Sequence, residues 1–309
     1  MRDTFARVVT EMASVDRRVT LLSGDIGNRM FDRFKDTAPG RFFNCGIAEA
    51  NMMSVACGMA LKGLRPFVYT ITPFNTTRCL EQIKVGAGYH EAPVIIIGTG
   101  SGLSYAELGG THHSFEDIAV VNVIPNMQIL TPADKSELVV HMKESLDSGK
   151  PTYIRIGKKG EPDILSQDNS MGIGKGSLLR DGDDIVLITS GPIISEALEA
   201  AEKIQVKLNK RVAVANIGSI KPIDHSLLKM LSTRFATWIS VEEHSTIGGL
   251  GSELLRWNNE NKAGINLAAT LGIPDIFIHR LGKQEYMRSV LGLNGDGIAK
   301  SVCDIIVRA

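Results

Sequence analysis

Val94-Ile95-Ile96-Ile97 is an unbroken apolar run that opens directly into a glycine-rich loop, Gly98 to Gly110. A strand without polar alternation has no face to give to water, so it belongs inside a parallel sheet covered by helices on both sides. Parallel neighbours need crossover connections, and the sequence around the run supplies them. Apolar spacing predicts helices over about 4–15, 48–62, 77–86 and 133–148, alternating with strands at about 21–25, 66–71, 123–130 and 152–156. That order is α/β.

From Gly157 to Asp184 the sequence turns to Gly, Lys, Asp and Ser with little periodicity. We place a linker there, over 161–183, between a first domain at 1–160 and a second at 184–309. The second half starts afresh with strands at about 185–188, 212–215 and 237–241 and helices near 193–208, 226–231 and 248–255, a smaller parallel α/β domain. A chain of 309 residues, 43% hydrophobic, has enough apolar material for two such cores.

Charge and cysteine content narrow the function. Lys plus Arg number 34 and so do Asp plus Glu, leaving no global field to draw nucleic acid or an anionic membrane. Neither is expected as a partner. Cys45, Cys57, Cys79 and Cys303 lack C-x-x-C spacing and read as reduced, structural thiols. The first residues have no signal-peptide core and no apolar run approaches the roughly 18 residues of a membrane span, so a cytoplasmic protein is expected.

Common nucleotide motifs are missing. No Gly-Lys pair is followed by Ser or Thr, which removes the phosphate-cradling P-loop, and Gly98-Thr99-Gly100 lacks the third glycine of a dinucleotide fingerprint. His112-His113 is a tandem pair without a third ligand at suitable spacing, so no metal site is assigned. Glu242-Glu243-His244 resembles a catalytic cluster on paper but is read as structural.

One stretch carries chemistry: Phe43 to Met53, where Gly46 permits a tight turn into a helix with Ile47, Val55, Ala56 and Met59 at helical spacing and Gly63 closing it. Glu49 falls in its first turn. A carboxylate there is also explained by its interaction with the helix amides, worth roughly 0.3–1 kcal/mol.

Gly46-Ile47-Ala48-Glu49, then Gly63-Leu64-Arg65-Pro66-Phe67, Gly109-Gly110-Thr111-His112, Pro132-Ala133-Asp134, Val241-Glu242-Glu243-His244 and Leu271-Gly272-Ile273-Pro274-Asp275, in this order, resemble thiamine-diphosphate enzymes of the transketolase family. The resemblance covers nearly the whole chain and implies a pyrimidine-binding domain followed by the family's C-terminal domain. It implies that Glu49 is hydrogen-bonded to the cofactor's pyrimidine ring, promoting the tautomer in which the ring's own amino group acts as a base. It further implies Phe74 as a pyrimidine-packing residue, with Ile71 where many members have a second aromatic so that the pocket is more aliphatic, Asp25 as a cofactor-side aspartate, and His112 as a hydrogen-bonding partner of the substrate. Arg2 and Lys158 fall where the family contacts substrate phosphate. Two departures stand out: Gly100 replaces a substrate-binding histidine and Leu108 an aspartate.

The family's diphosphate- and metal-binding domain is missing from this sequence. Gly295-Asp296-Gly297 matches part of its motif but lies too near Ala309 for the asparagine that completes it, and is read as a surface turn. The resemblance therefore implies a split enzyme. An N-terminal partner subunit would hold Mg2+ or Ca2+ and the diphosphate, a homodimer of this chain would sit within an α2β2 assembly, and the substrates would be sugars, anionic in view of Arg2 and Lys158. The expected activity is transfer of a two-carbon ketol unit. The alternatives are the β subunit of a 2-oxo acid or acetoin dehydrogenase and a non-catalytic α/β interaction module.

Overall fold

The computed structural model describes residues 1–308; Ala309, the last residue of the expected second domain, lies outside them. Two sheets carry the architecture. The first contains β1 (Val19–Ser23), β2 (Phe42–Asn44), β3 (Arg65–Ile71), β4 (Ile95–Thr99), β5 (Gln128–Leu130) and β6 (Thr152–Ile156). The second contains β7 (Ser177–Arg180), β8 (Ile185–Ser190) and β9 (Val212–Asn216), followed after β10 (Ser219–Lys221) by β11 (Thr237–Ser245) and β12 (Asn266–Ile273). β10 crosses back to the first sheet, whose order is β10-β5-β6-β4-β3-β1-β2; the second runs β12-β11-β8-β9-β7.

The apolar run occupies the place its composition demands. β4 lies between β3 and β6, parallel to both, and all five of its residues are buried. Successive side chains alternate faces. Leu21, Phe67, Ile95 and Ile97 join the core under the Arg2–Val15 helix, where Phe5 stacks on Tyr69 at 5.1 Å. Leu22, Val68 and Ile96 join the opposite core with Met52, Met53 and Ala56. Each such side chain contributes about 1.5–3 kcal/mol through burial.

Each sheet is parallel except for one antiparallel edge strand. β10 pairs antiparallel with β5, and β7 pairs antiparallel with β9. Ser177–Arg180 lies inside the stretch read as a linker, so part of 161–183 belongs to the second sheet. The rest of that stretch is fastened too: Asp134 Oδ2 accepts from Ile164 N and Leu165 N, and Glu144 Oε2 accepts from Ile173 N.

Other local expectations need correction. The stretch 123–130 is not one strand: a helix, Asp117–Asn122, ends just before it, Asn126 turns the chain at φ 66°, and only Gln128–Leu130 is extended. The helix expected at 77–86 is a 3-10 turn, a single α turn and a wide π segment, Ile83–Tyr89. Gly295-Asp296-Gly297 opens the Gly295–Arg308 helix rather than forming a turn, with Asp296 held to Lys203.

Candidate active site

The loops after β1, β2, β3, β4 and β6 gather at the carboxyl ends of the parallel strands, where open α/β sheets bind ligands. After β2, Asn44 Oδ1 accepts from Gly46 N, Gly46 takes φ 67°, and the helix Glu49–Leu61 begins. This puts Glu49 against the end of β1, where a Cβ on Gly24 would meet Glu49 Cγ and Thr70 Oγ1 at 3.1 Å. Glu49 is 2% exposed. The inward face of its helix is Glu49, Met52, Met53, Ala56, Cys57 and Ala60, whereas Ile47 is 80% exposed and Val55 also faces out, correcting the face expected from spacing.

β3 ends at the buried Ile71, and a short helix, Thr72–Asn75, presents Phe74. Its turn is rigidly tied: Thr72 Oγ1 donates to Thr99 O at 3.1 Å and Asn75 Nδ2 to Ile97 O at 2.7 Å. Four residues past Phe74, Arg78 folds back across the ring, its Cζ 4.1 Å from the centroid, and its Nη1 donates to Glu49 Oε2 at 2.8 Å. Sequence reasoning passes over Arg78. The i, i+4 spacing from Phe74 is its one available signal.

The glycine-rich loop brings His112 edge-on to Phe74, with centroids 5.2 Å apart, and Thr111 Oγ1 lies 2.9 Å from His112 Nδ1. Burial, and then the Arg78 charge, push the His112 pKa below the ordinary histidine value, which keeps the ring neutral at pH 7. His113 faces elsewhere: it lines a cavity of about 570 Å³ with Gly109, Phe115 and the 273–281 segment of the second domain. The tandem histidines thus serve opposite sides of one loop.

Beyond His112, Tyr105 lies 6.2 Å away and Lys158 Nζ sits 4.4 Å over the Tyr105 ring while donating to Glu107 Oε1 at 2.7 Å. A side chain at Gly100, which has φ 73°, would overlap the Tyr105 ring. Tyr105 therefore fills the space opened by the glycine that departs from the family pattern. Leu108 is half exposed beside it. Glu49, Arg78, Phe74, His112, Tyr105 and Lys158 form one continuous line.

Arg2 and Asp25 are not joined to that line. Asp25, at φ 56°, accepts from Asn44 Nδ2 at 2.9 Å, and Arg2 has only Asp3 at 4.0 Å among the described residues. Asp25 lies directly after β1, and the helix that begins at Arg2 is tied at its start to Glu161, whose Oε2 accepts from the Met1 amino group at 2.7 Å.

Glu242, Glu243 and His244 are structural supports. Glu242 accepts from Leu250 N and Gly251 N at the start of the Leu250–Asn261 helix. Glu243 Oε1 accepts from Leu103 N at 2.6 Å and its Oε2 from Arg288 Nε at 2.6 Å. Ala119 N donates to His244 Nε2 at 3.4 Å. Leu103 and Ser114 belong to the loop that carries His112, and Arg155 ties Ser114 O, Asp117 and Glu243 O together. Burial opposes the Asp117 charge, but Arg155 and its neighbours outweigh it and hold that carboxyl below the usual range. The second domain thus braces the loop of the first.

A buried carboxylate, an aromatic ring and a loop histidine thus gather at the carboxyl ends of a parallel sheet, with a second α/β domain behind, in a two-domain α/β protein. The chain belongs to the transketolase family: residues 1–161 match the transketolase pyrimidine-binding domain and residues 174–298 the transketolase C-terminal domain. It is 31% identical over 307 residues to an apulose-4-phosphate transketolase subunit of Phocaeicola vulgatus, covering 99% of this chain and 97% of that protein. It is also 31% identical to the 6-deoxy-6-sulfo-D-fructose transketolase subunit SqwH of a Clostridium species, covering 100% and 95%. Among solved structures it is similar to a split gene transketolase described as an inactive beta4 tetramer, with a TM-score of 0.88 and 30% identity over 99% of this chain and 97% of that one.

Among the described residues no helix is long and apolar enough to cross a membrane, and no group of His, Cys, Asp and Glu is arranged to hold a metal ion. The four cysteines are free thiols.

Proposed function

We propose that this chain is the C-terminal subunit of a split transketolase that moves a two-carbon ketol unit between sugars and works only when an N-terminal subunit completes its active site. The observation that carries this reading is the Glu49 carboxylate, buried at the end of the sheet and joined through Arg78 to Phe74, with His112 edge-on to that ring. The cleft suits an aminopyrimidine: an aromatic platform, a carboxylate at its edge and no bulky residue at Gly24.

When bound, thiamine diphosphate supplies the carbanion chemistry that breaks and forms the carbon–carbon bond. This chain's residues do the rest of what its half requires. Glu49 holds the proton shared with the ring nitrogen, Phe74 and Ile71 fix the ring's plane, and Asp25 lines the rim. His112, kept neutral, can both accept and donate a hydrogen bond to substrate oxygens. Lys158 meets an anionic group once Glu107 yields it, as a point charge without an arginine's fork.

Both relatives are named for anionic sugars, one a phosphate and one a sulfonate, which supports an anionic sugar substrate here. Tyr105 against Gly100, with Leu108 beside it, reshapes the wall where the family's histidine and aspartate would stand, so the acceptor differs from a standard pentose phosphate. Arg2 is assigned to the same charge on the family resemblance. In this reading the diphosphate and its Mg2+ or Ca2+ are held by the partner subunit. Ile47 just before the Glu49 helix, Val55 on it, and Val85 and Tyr89 on the adjoining π segment are exposed apolar residues that suit a second copy of this chain within an α2β2 assembly.

The test is reconstitution with the N-terminal subunit and thiamine diphosphate, assaying ketol transfer among anionic sugars against acyl transfer to a lipoyl domain. Ketol transfer supports the reading. Acyl transfer alone would make the protein an oxo acid dehydrogenase subunit.

A further inference from the structure

The guanidinium of Arg78 stands where a ligand would. It is planar, its centre lies 4.1 Å from the Phe74 ring centroid, and its Nη1 donates to Glu49 Oε2 at 2.8 Å. An aminopyrimidine in this cleft needs the same two contacts, an aromatic face to pack on and a donor to the Glu49 carboxylate. A ring that packs on the face of Phe74 covered by Arg78 and donates to the same Glu49 Oε2 cannot be accommodated until the guanidinium leaves.

We propose that Arg78 is a self-ligand of the pyrimidine cradle: it occupies the Phe74–Glu49 site when no cofactor is present and swings outward to admit the aminopyrimidine. The inference rests on the reading of Glu49 and Phe74 given above. Three features of the side chain suit it to this. Arg78 is 44% exposed while Glu49 is 2% exposed, so the arginine reaches in from solvent and can return there. It lies in the 3-10 turn Thr77–Cys79 on an irregular segment, rather than being locked in a regular helix. Its hydrogen bonds in the described residues end on Glu49 alone, and a half-exposed ion pair is weak enough to break. Until the ring arrives, the arginine compensates a carboxylate that would otherwise be buried alone.

A site closed by its own side chain loses affinity in proportion to the time it is closed. The test is calorimetry on the full chain with 4-amino-5-hydroxymethyl-2-methylpyrimidine, which carries the ring without diphosphate or thiazolium and so needs neither metal nor partner. Arg78→Ala should bind this probe roughly tenfold tighter than wild type, or about 1.4 kcal/mol. Arg78→Lys, which keeps the charge and loses the flat stacking surface, should fall between them. A residue that merely braces Glu49 would give the opposite sign, so equal or weaker binding in Arg78→Ala overturns the proposal. Circular dichroism of both variants guards against a folding defect, and the lysine variant alone still decides the sign if the alanine variant fails to fold.

Adding Phe74→Ala to Arg78→Ala should abolish binding. Binding that survives it, or no binding by any form, contradicts the pyrimidine pocket itself and not only the role of Arg78.

Discussion

Glu49 and Glu243 are both buried carboxylates paired with an arginine, and they do opposite work. Glu243 is committed on every side, to Leu103 N, Gln284, and an Arg288 that is itself buried. Glu49 has one side-chain partner among the described residues, and that partner is half in solvent. A carboxylate whose contacts are all fixed holds domains together, whereas one held by a single retractable side chain at the carboxyl ends of a sheet is available to a ligand. Burial alone does not separate the two; the exposure of the partner does.

The largest effects come from reversing these roles. Glu49→Gln in the reconstituted enzyme should lower turnover by about 10²–10⁴-fold, the range of a lost acid–base group, with a thermal midpoint close to wild type. A wild-type-like rate breaks the comparison at once. Glu243→Ala should instead cost about 1–3 kcal/mol in urea unfolding, because Leu103 N and Gln284 lose their buried acceptor while Arg288 keeps only Glu196. A cost below about 1 kcal/mol, the range of exposed pairs, would mean that the brace is not what holds the His112 loop.

Smaller effects sharpen the picture. Lys158→Ala should raise KM for an anionic sugar about tenfold while leaving kcat nearly unchanged, as expected for uniform binding. Faster turnover of neutral sugars than of anionic ones would remove Lys158 from the substrate site.

The pH dependence of stability tests the burial of Glu242. Burial pushes Glu242 and Glu137 up to about 7, so the stability each contributes is full below about 4.5 and is lost as pH rises through 7. Burial holds His141 down to about 3 and His244 to about 4, so their contribution is full above 6.5 and is lost as pH falls towards 4. The two trends oppose each other between about pH 4.5 and 6.5, and the carboxylates alone set the slope above that. Wild type should therefore lose stability from pH 6 to 8, and Glu242→Gln should lose about 1–2 kcal/mol less over that span by calorimetry. Parallel curves for the two proteins would contradict the burial of a carboxylate there.

Much of this is legible in the sequence because it is written in periodicity and local turn chemistry. The unbroken Val94–Ile97 run announces a doubly covered strand, Gly46 announces the turn before Glu49, and Phe5, Val8, Val9 and Met12 announce the first helix, all of which the structure buries or turns as expected. What fails is non-local. Arg78 meets Glu49 across 29 positions, and nothing near Arg78 marks it as facing a carboxylate. Val120 to Ile124 carries branched side chains that suit strand or helix, and packing against the sheet decides for the helix ending at Asn122. Ser177–Arg180 reads as linker because only two residues of its short edge strand are apolar. Spacing alone counts Ile47 and Val55 as inward, although Met52, Met53 and Ala56 fill that face.

The central claim is that this chain holds the pyrimidine half of a cofactor site whose other half is elsewhere. Titrating thiamine diphosphate with Mg2+ into the chain by calorimetry, without and then with the N-terminal subunit, tests it most directly. The account predicts weak binding and no turnover for the chain alone, and tight binding with turnover once the partner is present, through linkage of assembly to ligand binding. Tight, magnesium-dependent binding with turnover by this chain and no second polypeptide would contradict it.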